Sequence, residues 1–219
     1  MRLMRWAKAS FFLLAVRPFV ALILGKNIRH GQRLPQKGPL LIVANHNSHL
    51  DTVLLMSLFP ARMLSKVRPV AAADYFSRSK WLSAFVNATI QPLLIPRWSK
   101  APIEKLLAPV VSALDRGEIV IFFPEGTRGK AEQMQDFKPG IAFLAHARPD
   151  IPIVPIYMTG LGKALPKGDW LFVPYFCDVV IGEPQTYSGD PTHFRHHLQR
   201  YMTTLAAELP CLGMRPRNV

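Results

Sequence analysis

A layered α/β domain is the fold that this 219-residue sequence predicts, on three observations. Short apolar runs of buried-strand length recur along the chain, segments with helix-like apolar spacing lie between them, and the most polar clusters follow directly after the runs. Nothing repeats, and the length suits one compact core.

The first 30 residues stand apart as an N-terminal segment. Arg2, Arg5 and Lys8 precede two apolar blocks, 11–16 and 19–24, which Arg17 and Pro18 separate. A spanning helix needs about 20 predominantly apolar residues, and a central arginine costs roughly 2.5 to 3.5 kcal/mol, so one clean crossing is not expected. The pattern suits a helix or kinked helical pair lying in the headgroup region of a membrane, with Trp6 and the cations at the interface. A helix packed on the protein's own core is the alternative. No small-x-small cleavage site follows, which argues against a removed signal peptide.

The α/β domain is expected over residues 31–210. After a Gly- and Pro-rich loop at 31–39, the run LLIVA at 40–44 reads as a fully buried strand. Further strands are expected at 69–73, 93–95, 118–123, 153–157 and 172–181. Helical spacing falls at 52–59, 80–89, 103–115, 140–147 and 193–209, and Arg116-Gly117 supplies a stop for the third of these. Residues 211–219 form a basic tail.

Lysine and arginine number 27 against 14 acidic residues, for a net charge of +13, while 49% of the chain is hydrophobic. Such charge attracts phosphates of several kinds. Basic-region, zinc-finger and RNP patterns are missing and the aromatics sit among aliphatics, which argues against nucleic acid and favours lipid. Cys177 and Cys211 show no CxxC spacing, so a reducing compartment is expected and both read as structural.

Two polar clusters carry chemistry. Asn45-His46-Asn47-Ser48-His49-Leu50-Asp51 follows the run at 40–44 and precedes a helical pattern. The H-x4-D spacing lets the Asp51 carboxylate meet the His46 imidazole across the turn, fixing its tautomer and leaving the other nitrogen to take a proton. A strand-end histidine that caps structure, with Asp51 as a first-turn helix charge, is the plainer reading. A metal held by His46, His49 and an aspartate lacks clear residues to orient its ligands, and none is expected.

The second cluster, Phe123-Pro124-Glu125-Gly126-Thr127-Arg128, also leaves a strongly apolar strand. Gly126 lets backbone approach a ligand, Arg128 can grip a phosphate in bidentate fashion, and Glu125 can accept from a hydroxyl or hold a cation in place. A turn in which Glu125 and Arg128 pair with each other is the alternative. Neither Ser48 nor Thr127 lies in a G-x-S-x-G elbow, so both read as hydrogen-bonding residues. His193, His196 and His197 read as exposed.

Together these clusters make the chain resemble the lysophospholipid acyltransferase family, which includes 1-acyl-glycerol-3-phosphate acyltransferases. The H-x4-D block matches His46 to Asp51, the Phe-Pro-Glu-Gly-Thr-Arg block matches Phe123 to Arg128, and Ile151-Pro152-Ile153-Val154-Pro155-Ile156 resembles the proline-flanked apolar block. Gln91-Pro92-Leu93-Leu94-Ile95-Pro96-Arg97 resembles a block ending in a phosphate-contacting arginine, with Gln91 where glycine is usual and Asn47 where glutamine is common. Phe137-Lys138-Pro139-Gly140 resembles a further pattern beside the site.

The resemblance implies a glycerolphosphate-acyltransferase-type layered domain, with a mixed central sheet flanked by helices and preceded by the membrane-associated segment. It implies His46 as general base and Asp51 as its partner, in direct attack of an acceptor hydroxyl on a thioester. Arg97, Glu125, Gly126, Thr127, Arg128 and Lys138 would bind the acceptor. Backbone N–H groups near Asn47, Ser48 or the following helix start would serve the oxyanion. The implied cosubstrate is acyl-CoA or acyl-carrier protein, with no metal or organic cofactor. The implied partners are a lysophospholipid and an anionic membrane surface, at the cytoplasmic face of the inner or cell membrane. A same-family enzyme acting on another lysolipid or an amino-acid lipid, and a noncatalytic phosphate-binding protein, are the competing readings.

Overall fold

The computed structural model describes residues 8–22, 26–48, 50–76, 80–96, 99–129, 133–164 and 176–209. Among them, seven strands form one sheet: β1 (Lys26–Arg29), β2 (Leu40–Ala44), β3 (Val67–Ala72), β4 (Leu93–Ile95), β5 (Ile119–Phe122), β6 (Ile153–Thr159) and β7 (Cys177–Ile181). Their spatial order is β1-β7-β6-β2-β5-β3-β4. Neighbours are parallel except β6 and β7, which are antiparallel, so β1 and β7 run against the other five. The sheet is therefore mixed, as expected.

β2 lies near the middle and is buried along its whole length. Its alternation divides the core: Leu40, Ile42 and Ala44 join one apolar cluster, while Leu41 and Val43 join the other. The first cluster is covered by the N-terminal helix and α2 (Leu50–Ser57), through Phe12, Val16, Leu54 and Leu55. The second is covered by α4 (Ile103–Asp115), α5 (Gly140–Ala147) and α6 (Pro191–Ala207). In α6 the buried residues Phe194, Leu198, Met202 and Leu205 make one stripe, and Asp190 caps the start by accepting from the His193 N–H at 2.8 Å.

Sequence and structure share the bounds of β2, β4, α3 (Lys80–Thr89), α4 and α5. α6 begins two residues earlier than expected because Asp190 and Pro191 supply a cap and a first-turn proline. β1 was not expected: its residues Lys-Asn-Ile-Arg carry no apolar run, because an edge strand has one neighbour. The sheet thus begins at Lys26, inside the stretch read as the N-terminal segment.

Within that segment a π-helical turn, Phe12–Val16, runs into α1 (Arg17–Leu22). Phe12, Val16 and Val20, four residues apart, are buried in the core, as the alternative reading of this stretch anticipates. Lys8 is fully buried, and its Nζ donates to the carbonyls of Val67 and Ile90, each at 2.8 Å. Burial, with the Arg68 charge acting in the same direction and Glu118 opposing, pulls the Lys8 ammonium down to about 7. Arg17 donates to the Phe59 carbonyl at 3.0 Å. The opposite side carries exposed Leu13 and Leu14. No helix among the described residues is long and apolar enough to cross a membrane. Cys177 is buried in the core, and Cys211 lies outside the described residues.

Candidate active site

The five mutually parallel strands end on one edge of the sheet, where ligands of open α/β sheets commonly collect. The two polar clusters leave β2 and β5, which are neighbours, so the order of strands alone brings them together.

After β2, Asn45 locks the exit to β6: its side-chain amide donates to the Met158 carbonyl and accepts from the Met158 N–H, both at 2.8 Å. The chain then turns into α2. Across that turn His46 Nδ1 meets Asp51 Oδ2 at 2.9 Å. The same oxygen accepts the N–H groups of Asn47 at 2.6 Å and Ser48 at 2.8 Å. One carboxylate oxygen thus gathers the whole turn, while Asp51 Oδ1 and Asn47 Oδ1 are buried without a partner among the described residues. Asp51 is fully buried and the His46 side chain is 18% exposed, so the imidazole sits at the boundary between core and solvent. Its ring stacks on Phe123 with centroids 4.1 Å apart. With Nδ1 committed to Asp51, Nε2 is the nitrogen left to take a proton.

This arrangement revises the expected oxyanion donors. The N–H groups of Asn47 and Ser48 point at Asp51 and are spent there.

Glu125 is also placed differently from the expectation of a substrate contact. It is buried; Oε1 accepts the His46 N–H at 2.9 Å and Oε2 accepts the Gln135 N–H at 3.0 Å. It therefore staples the exit of β5 to the exit of β2 and to the loop before α5. The Gly129 N–H returns to the His46 carbonyl at 3.3 Å, tightening the same junction. Burial pushes the Glu125 carboxyl up, against the two backbone donors that pull it down. No pairing of Glu125 with Arg128 occurs among the described residues.

Gly126 is exposed with φ +71, the left-handed region that favours glycine. A side chain there would also collide with Lys138, whose Nζ lies 3.0 Å from where a Cβ would stand, so the Lys138 ammonium covers this turn. The Lys138 N–H donates to the Pro124 carbonyl at 2.9 Å. Thr127 Oγ1 approaches Gln135 Oε1 at 3.5 Å, and Arg128 is half-buried with no ion pair among the described residues. Arg97 and His49 lie outside the described residues. Gln91, in the slot where glycine is usual, adopts φ +57, and Arg68 Nε donates to its carbonyl at 2.6 Å. No group of histidine, cysteine or acidic side chains suited to a metal occurs among the described residues, and His193, His196 and His197 are exposed.

His46, Asp51, Glu125, Gly126 and Lys138 thus meet at one edge. Sequence reasoning missed Asn45 and Gln135 as supports of the site. An asparagine directly after the apolar run at 40–44 was the available signal for the first; the second acts through its backbone and left none.

Known proteins resemble this chain in sequence and in fold. The family model described as Acyltransferase matches residues 27–159. The chain is 30% identical over 169 residues to the chloroplastic 1-acyl-sn-glycerol-3-phosphate acyltransferase LPAT1 of Arabidopsis thaliana, covering 74% of this chain and 41% of that protein. It is 27% identical over 206 residues to the 1-acyl-sn-glycerol-3-phosphate acyltransferase of Pseudomonas aeruginosa, covering 84% and 76%. The chain therefore spans less than half the length of its chloroplastic relatives. Its fold is similar to the crystal structure of the 1-acyl-sn-glycerophosphate acyltransferase PlsC from Thermotoga maritima, with a TM-score of 0.72 at 20% identity over 94% of this chain and 80% of that one.

Proposed function

The chain belongs to the acyltransferase family, and from that membership we propose that it transfers a fatty acyl group from acyl-CoA or acyl-carrier protein to the hydroxyl of 1-acyl-glycerol-3-phosphate. The product is phosphatidic acid. The observation that carries the chemistry is the His46 Nδ1 to Asp51 Oδ2 contact of 2.9 Å at the strand-exit edge.

His46 Nε2 takes the proton of the acceptor hydroxyl, whose oxygen bonds to the thioester carbonyl carbon. The tetrahedral intermediate collapses, the C–S bond breaks, and the departing thiolate receives the proton from the imidazolium. Asp51 stabilises that cation and holds the ring. General-base catalysis of this kind contributes about 10² to 10⁴ in rate. Glu125 fixes His46 through its backbone, a positioning role, while Arg97, Arg128 and Lys138 attract the acceptor phosphate and Gly126 and Thr127 leave room for the glycerol. Neither metal nor organic cofactor takes part.

Acceptor and acyl chains are both lipidic, which suits attachment through the N-terminal segment at the cytoplasmic face of the cell membrane, peripherally or monotopically. The Gln91 side chain, standing where the resemblance has glycine, favours a second reading in which the acceptor is another lysolipid or an amino-acid lipid.

Purified protein incubated with acyl-CoA or acyl-carrier protein and a panel of lysolipids, followed by mass spectrometry, tests both. Phosphatidic acid as the main product is expected. Acylation of another acceptor with none of lysophosphatidate would replace the first reading with the second.

A further inference from the structure

Among the described residues, the large hydrophobic side chains left exposed are Leu13, Leu14, Trp81, Phe85, Leu94 and Phe176. The first four lie on two helices that touch. Phe11 of the N-terminal helix packs edge-on against Phe85 of α3, with ring centroids 5.3 Å apart. Leu14 stands three residues on from Phe11, along the same side of its helix. Trp81 and Phe85, four residues apart, share a face of α3, and Trp81 is 88% exposed. Phe85 is half exposed and Trp81 almost wholly so, an apolar surface that asks for a partner.

Charge identifies that partner. In the first 103 residues the only acids are Asp51 and Asp74, and Asp51 is buried, while more than half of the 27 lysines and arginines fall there. The net charge of +13 belongs to this half; residues 104–219 balance. Arg62 and Lys66 are exposed on the 3-10 turn Ala61–Lys66, which lies between Phe59 and Val67, the residues whose carbonyls Arg17 and Lys8 hold. The turn that carries these two cations therefore lies against the N-terminal helix. A second copy of the chain would bring like charge against like, whereas an anionic bilayer offers acyl chains to the aromatic and aliphatic side chains and phosphates to the cations.

We propose that α3 and the N-terminal helix together form one docking face for an anionic lipid bilayer, with Trp81 and Phe85 entering the headgroup region beside Leu13 and Leu14. Docking therefore extends beyond the N-terminal segment to a helix within the α/β domain. The choice of a lipid partner rests on the proposed function, but binding is measured without catalysis.

Flotation of the full chain with phosphatidylcholine vesicles, with and without phosphatidylglycerol, tests it. Wild type is expected to float with the anionic vesicles and less with the neutral ones. Trp81→Ser with Phe85→Ser is expected to lose about tenfold in bound fraction, and Trp81→Ser alone, at a side chain 88% exposed, to lose part of it at an unchanged unfolding temperature. Flotation equal to wild type overturns the proposal, as does a solution dimer that the double substitution abolishes while vesicle binding persists. A second readout is quenching of tryptophan fluorescence by brominated acyl chains, which is expected to fall in Trp81→Phe; undiminished quenching also overturns it. Turnover of a monomeric short-chain lysophosphatidate is expected to survive the double substitution, and an equal loss there would overturn a docking role. Absence of acyl transfer in wild type would sink the proposed function alone, leaving the vesicle result to stand or fall by itself.

Discussion

Between the exits of β2 and β5, Asp51 and Glu125 hold backbone N–H groups and an imidazole with three of their carboxylate oxygens, whereas on the outer side of the N-terminal helix and α3 the side chains of Leu14 and Trp81 are largely exposed. The first region is set by contacts inside the molecule. The second is completed by something outside it. Changes to the first should therefore abolish chemistry and leave lipid binding intact, and changes to the second should do the reverse.

The sharpest way to break that division is His46→Ala. Acyl transfer is expected to fall by at least about 10² to 10⁴, with the unfolding temperature and vesicle flotation close to wild type. A parallel loss of flotation would show that the regions are coupled. Asp51→Asn comes next, since an amide cannot accept from three donors at one buried point. It is expected to lower turnover by a similar order and to destabilise by about 3 kcal/mol, read by thermal or urea unfolding.

Glu125→Gln sharpens the comparison by separating positioning from chemistry. An amide keeps one of the two backbone acceptors, so a tenfold-order loss in turnover is expected without a large change in acceptor KM. Stability should also change its response to pH. Burial raises the Glu125 carboxyl above its ordinary 4.5, so the folded chain holds this proton more tightly than the unfolded one. That contribution is fully present below 4.5 and is lost as pH rises through the raised value. Unfolding temperatures of wild type should thus fall relative to Glu125→Gln across that window.

The smallest effect on turnover belongs to the inner side of the N-terminal helix. Lys8 is held down to about 7 from 10.5, so between those values the folded chain binds fewer protons than the unfolded one and stability rises with pH. Lys8→Met should abolish this rise, although it leaves the Val67 and Ile90 carbonyls without their donor. Unfolding temperatures of the two proteins between pH 6 and 10 measure the difference.

Legibility in the sequence followed the same division. β2, α4 and α5 could be bounded to the residue because buried strands and helix stripes are written in apolar periodicity, which local sequence carries. His46 and Asp51 could be paired because only four residues and a turn separate them. Glu125 resisted because its partners are backbone N–H groups, which every residue owns and no residue type advertises. Lys8 resisted for a related reason: a lysine ahead of an apolar block reads as an interfacial cation, and only the carbonyls of Val67, just after the 3-10 turn Ala61–Lys66, and of Ile90, just after α3, explain its burial. Trp81 and Phe85 lie four apart in a helix predicted to the residue, yet which face that helix turns outward was decided by the tertiary packing of Phe11.

The central claim is direct attack by a lysophosphatidate hydroxyl deprotonated at His46. Its most direct test is mass spectrometry on wild type and His46→Ala mixed with acyl-CoA and lysophosphatidate and quenched within the first turnover, reading the intact chain and the lipid together. The account predicts phosphatidic acid from wild type with the chain at its unmodified mass, and none from His46→Ala. A chain that gains the mass of the acyl group before phosphatidic acid appears, or wild-type turnover by His46→Ala, would contradict it.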